Sequence, residues 1–124
     1  MWPVFLVALG GAVGAVLRYS ISSLVAYRWE SVLPMGTLVV NVIGSLLIAF
    51  FVVKGLESGA LSSDWRLLIV VGLGGAFTTF SSFSVETMSL LRDSAYQYAM
   101  FNVLVNVCLC LLAAWMGFVL ARIV

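Results

Sequence analysis

Residues 74 to 84 read GGAFTTFSSFS, five hydroxyl side chains and three phenylalanines in eleven positions. They sit inside Leu67 to Val85, an apolar run that carries no charged residue. A helix that had only to face lipid would use leucine there, so the segment implies a membrane helix with a second task. In an unbroken helix Phe77, Phe80 and Phe83 would cover about a 120° arc, with Thr78 and Ser82 near the opposite face. Gly72, Gly74 and Gly75 precede that arc, and the β-branched pair Thr78-Thr79 weakens helix further. The expectation is a third helix broken near its middle, around Gly75 to Thr79. Non-helical backbone at membrane depth is tolerated only where it is buried in protein or lines a cavity, and carbonyls freed by a break are ready cation ligands.

The rest of the chain agrees with a membrane setting. Of 124 residues only eleven are charged and 64% are hydrophobic, with a mean hydropathy of +1.20, far from the roughly 25% charged content of a soluble domain. Trp2 to Tyr27 is interrupted only by Arg18, and Ser31 to Val53 and Ser94 to Ala121 carry no charge at all. Each run reaches the ~20 residues that a bilayer core demands. The first is longer than the usual signal-peptide core of about 7–15 residues, and no basic residue precedes it, so it reads as a helix of the protein. The sequence predicts one all-α transmembrane domain, residues 1–124, with spans near 2–27, 31–54, 66–90 and 94–122, and no soluble domain.

Four crossings put both termini on one side with the Lys54 to Arg66 connection. The Lys/Arg count is then Lys54, Arg66 and Arg122 against Arg28 and Arg92, or three against three if Arg18 snorkels to the second side. That balance barely orients the chain. It leaves two readings, one weakly biased orientation or a dual topology with copies inserted both ways up. Four helices of this size are too slender to enclose a lined pathway and still cover it toward lipid, so an oligomer is expected. Antiparallel copies would be related by a two-fold axis in the membrane plane, an inverted repeat made from two chains.

Several chemistries lack residues. Histidine is absent, and no acidic cluster or metal spacing occurs, so zinc chemistry and general-base hydrolysis have no candidates. Cys108 and Cys110 point about 200° apart on a helix and cannot pair with each other; they read as small apolar filler. No phosphate-cradling glycine loop is present. Neither an enzyme nor a nucleic-acid partner is expected.

What is polar inside the membrane is uncharged and periodic. Thr37, Asn41 and Ser45 fall at i, i+4, i+8 on the second helix, and Asn102, Asn106 and Cys110 repeat the spacing on the fourth. Gly10, Gly14 and Arg18 do so on the first, where small-xxx-small spacing points first to helix contact. Packing needs one or two polar groups, whereas a solvating pathway needs a series at different depths. Amide N–H groups, hydroxyls and the positive edges of aromatic rings can all approach an anion. Arg18 reads as lying near a helix end, so no full positive charge sits deep in the bilayer, which suits conduction because entry must not become trapping.

GGAVGAVLRY (10 to 19), GTLVVNVIGS (36 to 45) and GLGGAFTTFSSFSVE (72 to 86) resemble, in order, the signature segments of the small bacterial fluoride channels, the Fluc or CrcB family. Helix count and length extend the resemblance over essentially the whole chain. It implies passive, fluoride-selective export across the cell inner (plasma) membrane that protects against fluoride toxicity. It also implies an antiparallel dual-topology homodimer with a structural sodium ion at its centre. By motif position Asn41 corresponds to the pore asparagine, Phe80 and Phe83 to the aromatic pair whose ring edges meet fluoride, and Gly75 and Thr78 to the residues whose carbonyls hold sodium. Arg18 and Glu86 match charged vestibule positions. Ser81, Thr37 and the fourth-helix track Asn102, Asn106 and Cys110 complete the candidate pathway. The alternatives are a proton-coupled small multidrug transporter, whose first-helix carboxylate this chain lacks, and a non-transporting membrane subunit, which would leave the hydroxyl-aromatic cluster unexplained.

Overall fold

The computed structural model describes residues 1–56, 59 and 61–124, with Leu56 by its backbone only. Part of the connection expected between Lys54 and Arg66 therefore lies outside the described residues. Helix α1 is Trp2–Arg28, with proline in its first turn, where the missing N–H costs nothing. Helix α2 is Met35–Leu56. It starts later than residue 31 because Ser31 Oγ accepts from Leu33 N–H in a tight turn and Pro34 supplies the first helical carbonyl, to Leu38 N–H. The third span opens with α3, residues 63–77, in which Arg66–Gly74 is π-helical and Gly75–Phe77 returns to α geometry. Thr78 and Thr79 are extended (φ −83°, ψ 156° and φ −150°, ψ 112°), and α4 follows as Phe80–Arg92. Gly75 itself keeps helical dihedrals (φ −63°, ψ −34°). Helix α5 is Tyr96–Ile123.

Taken through its two extended residues, the third span joins the other three helices as long and apolar enough to cross a membrane. The shortest, Met35–Gly55 with 21 residues, measures about 32 Å at 1.5 Å per residue and matches the ~30 Å hydrocarbon core. The chain is an all-α, multi-pass membrane protein. A tight turn joins α4 to α5: Ser94 takes a left-handed φ of 58°, Ala95 N–H reaches Leu90 O at 2.8 Å and Ser94 N–H reaches Leu91 O at 3.1 Å. This pair of hydrogen bonds ends α4 and folds α5 back against it.

Helix α2 packs on α5, and α1 packs on α3. Both contacts are made by backbone meeting backbone. A β-carbon at Gly117 of α5 would strike Leu46 O of α2, and one at Gly10 or Gly14 of α1 would strike Leu68 O or Leu73 O of α3. Leu68 and Leu73 are five residues apart, which in an α-helix would turn them about 140° from each other. The i→i+5 turns of the π stretch bring both carbonyls toward one side. That spacing meets the Gly10–Gly14 pair, four apart on α1. Gly72 completes the contact, since a β-carbon there would come within 2.7 Å of Val7 O.

This interface predicts that Gly14→Ala destabilises the folded chain by about 1–3 kcal/mol, the range for overpacking a close contact. Gly11→Ala, whose β-carbon would find its nearest neighbour at 3.9 Å, should stay within about 0.5 kcal/mol of the parent. Unfolding in mixed micelles of increasing denaturing detergent measures both; equal stability of the two variants would contradict the packing account.

Candidate functional site

The interruption at Thr78-Thr79 is held from the neighbouring helix. Asn41 of α2 accepts Thr79 N–H on Oδ1 at 2.8 Å and donates from Nδ2 to Thr79 O at 3.1 Å. Its amide thus pairs with both main-chain groups of one residue and keeps its second N–H. Thr79 Oγ1 in turn accepts Ser82 N–H at 3.1 Å, the side-chain cap of α4, and lies 3.0 Å from Ser82 Oγ and 3.1 Å from Ser81 Oγ. Gly44 makes room on α2, because a β-carbon there would strike Thr78 Cγ2 and the Phe77 ring.

Two carbonyls lose their usual donors in this arrangement. In an unbroken helix Thr79 N–H would return to Gly75 O and Ser82 N–H to Thr78 O. Asn41 Oδ1 takes the first and Thr79 Oγ1 takes the second. Gly75 is exposed, with nothing within 4 Å of a β-carbon placed on it.

Two cavities flank the interruption, and Thr79 lines both. The first, about 630 Å³, is walled by Arg18, Ser22, Glu30, Thr37, Ser82 and Glu86, among others. Thr37 Oγ1 donates to Glu86 Oε1 at 2.6 Å, while Glu86 Oε2 and Arg18 Nε are buried without partners among the described residues. Arg18 is interior to α1, which continues to Arg28, so it is not at a helix end. It lines the first cavity from that interior position. The second cavity, about 590 Å³, has Asn41, Ser45, Phe80, Phe83, Asn106 and Cys110 in its lining. The Phe80 and Phe83 rings lie 5.4 Å apart and tilted by 54°. Phe83 is 9% exposed and Phe80 78%, whereas Phe77 is buried at 4%.

Five of the eight expected pathway residues thus share the second cavity. Thr37 lines the first, Ser81 is exposed beside the Thr79 hydroxyl, and Asn102 is buried beyond the cavity lining. Asn102 is tied in by a residue that the stripe reading passed over. Thr87 Oγ1 donates to Phe83 O at 2.7 Å and accepts from Asn102 Nδ2 at 3.0 Å, and Asn106 Nδ2 donates to Asn102 Oδ1 at 2.9 Å. The i, i+4 spacing of Phe83 and Thr87 on α4 carried the signal. Thr79 was singled out as half of the β-branched pair that weakens the helix, and Ser82 as a hydroxyl opposite the phenylalanine arc; the cap between them was not visible.

Comparison with known proteins finds relatives of nearly the whole chain. The family described as CrcB-like protein, Camphor Resistance (CrcB), matches residues 5–118. A protein of Sulfurihydrogenibium sp. named fluoride-specific ion channel FluC is 43% identical over 116 residues, 94% of each chain. Its namesake in Paramagnetospirillum magneticum is 45% identical over 121 residues, 96% of this chain and 94% of the relative. That of Shewanella loihica is 46% identical over 111 residues, 90% and 89%.

The bridge through Thr87 generates a stability test. Thr87→Val keeps the shape but strands Asn102 Nδ2, and should cost on the order of 1 kcal/mol, between an average interhelical bond in a membrane and a fully orphaned buried amide. Thr87→Ser, which retains the hydroxyl, should lie near the parent. The same detergent titration separates them; a valine variant as stable as the serine variant would show that the bond carries nothing.

Proposed function

Because the chain belongs to the CrcB family, we propose that it is a passive fluoride-selective channel that exports fluoride across the bacterial inner membrane and so protects against fluoride toxicity. The observation that carries this reading is the second cavity, where the Phe80 and Phe83 rings, with Phe118, stand together with asparagines and hydroxyls and no charged side chain among the lining residues. Fluoride enters through the first cavity, drawn by Arg18. Hydroxyls of Ser81 and Ser82 then replace water on the ion, at a depth where bare transfer would cost tens of kcal/mol. The rings of Phe80 and Phe83 offer their positive edges, and the N–H of Asn41 not spent on Thr79 donates beside them. Ser45, Asn106 and Cys110 continue the wall. Each contact is weak enough to release the ion, which conduction requires.

The working unit of this reading is an antiparallel dual-topology homodimer, with the extended pair at Thr78-Thr79 as its functional break. A Phe80 ring that is 78% exposed forms half of a wall, and a second copy is the natural source of the other half. Balanced Lys/Arg counts favour insertion both ways up. The carbonyls of Gly75 and Thr78, relieved of their helical donors, are the ligands that this chain would give a structural sodium ion shared between the copies. Bound there, sodium supplies a positive charge that holds the carbonyl dipoles of both chains together.

Three measurements test the reading. Purified protein in liposomes should release fluoride to an ion-selective electrode and retain chloride; loss of both ions at similar rates, or of neither, would remove the proposal. Phe80→Ile and Phe83→Ile keep bulk but lose the polarised ring edge, so each should lower fluoride flux at least tenfold with assembly intact. Near-normal flux in both would make the rings packing elements. Tags on the termini should be reached by impermeant reagents from both faces of the membrane, and labelling from one face only would sink dual topology.

A further inference from the structure

Phe80 and Phe83 stand on a helix that restarts after the interruption. Because Thr78 and Thr79 are extended, the helical ladder of α3 does not run on into α4, and α4 must take its setting from its neighbours. Asn41 of α2 holds its start through Thr79. One turn beyond Phe83 a second asparagine reaches it from α5. Asn102 Nδ2 donates to Thr87 Oγ1 at 3.0 Å, and Thr87 Oγ1 donates to Phe83 O at 2.7 Å. The two ring-bearing residues therefore lie between side-chain anchors from two different helices.

Asn102 is placed to act on Thr87 and not on an ion. It is 4% exposed and, like Thr87, lines neither of the two cavities. Its Oδ1 lies 2.9 Å from Asn106 Nδ2, which is also 3.0 Å from Asn102 O. A donor nitrogen thus faces both oxygens of Asn102, and this decides which end of the Asn102 amide points to Thr87, since a reversed amide would set donor against donor. The Thr87 hydroxyl has one proton and Phe83 O can only accept, so that proton goes to Phe83 and the threonine receives from Asn102. We infer that Thr87 and Asn102 are positioning residues of the pathway: they hold the Phe83–Thr87 turn of α4 against α5 and so set where the Phe83 ring stands beside that of Phe80, 5.4 Å away. Asn106 orients Asn102 in this arrangement. The inference rests on the fluoride-pathway reading and moves Asn102 from contact with the ion to a place behind the ring that meets it.

Fluoride and chloride flux per assembled channel, measured in liposomes over a double-mutant cycle, provides the test. Thr87→Val and Asn102→Leu should each lower fluoride flux about fivefold, and the double variant should lie within about twofold of either, because both remove the same link. Each should also lower the ratio of fluoride to chloride flux, which a mere loss of folded protein leaves unchanged. Thr87→Ser, which keeps the hydroxyl, should match the parent in flux and in ratio. A double variant reduced about twenty-five-fold would mean that Asn102 acts on the ion independently of Thr87. Unchanged flux and ratio in both single variants would remove the positioning role. The ring itself is read by 4-fluorophenylalanine placed at position 83 alone. Its ¹⁹F signal should shift or split in Thr87→Val and in Asn102→Leu and keep its place in Thr87→Ser; an identical signal in all of these proteins overturns the proposal. A parent protein that carries no fluoride removes the pathway reading instead, while the ¹⁹F comparison still decides whether Thr87 and Asn102 hold the ring.

Discussion

In hydrocarbon, a peptide group without a partner costs several kcal/mol, so a membrane helix cannot stop and restart unless something else takes up the hydrogen bonds. The Asn41 amide on Thr79 meets that requirement here. It satisfies both the N–H and the carbonyl of Thr79 from a neighbouring helix, and Thr79 then caps the helix that resumes at Phe80. The consequences spread outward. Gly44 must be small so that Thr78 and Phe77 can lie against α2, and α4 sets off in a direction that separates exposed Phe80 from buried Phe77. Asn41 thereby has two tasks, holding the backbone with two of its hydrogen-bonding groups and facing the cavity with what is left.

The other contacts show how little side chain a small membrane bundle needs where helices touch. Lipid tails are as apolar as leucine, so burial does not favour helix association by itself, and close backbone approach with good dispersion contact takes its place. Gly10, Gly14, Gly72 and Gly117 mark the places where this happens. Large apolar side chains are left to face outward, as the exposed Leu, Val, Phe and Trp residues of α1 and α5 do. Polar residues are kept for the inside, where Thr37 meets Glu86 and the Thr87–Asn102–Asn106 chain joins α4 to α5.

Much of this was legible in the sequence, for definite reasons. Charge-free runs of membrane length identify four spans because the bilayer sets length and polarity independently of the partner helices. Period-four stripes placed Asn41 and Ser45 on one face, and Asn106 and Cys110 on another, because helical geometry is local. The partners of those stripes are not local. Glycines and paired threonines point to residues 74–79 as weak helix, but which of them leave the helix is decided by Asn41, 38 positions away from Thr79. Thr87 stands in none of those stripes, and its role follows only from Asn102 on the neighbouring helix. Nor does RLLIVVGLG differ in composition from an ordinary apolar α-helix; its wider turns answer the glycines of α1.

That wider turn also bears on how the chain can change length over evolutionary time. Each i→i+5 turn holds one residue more than the α turn that would close the same loop. Deleting one residue from an α-helical span rotates everything beyond it by about 100°, which would swing Phe80 and Phe83 off their cavity. Deleting one between Arg66 and Gly74 can be absorbed as π turn relaxes to α turn, and the rings keep their bearing. The stretch beside the α1 glycines is thus the segment of the third span where a single-residue indel can be lost or gained without dismantling the site.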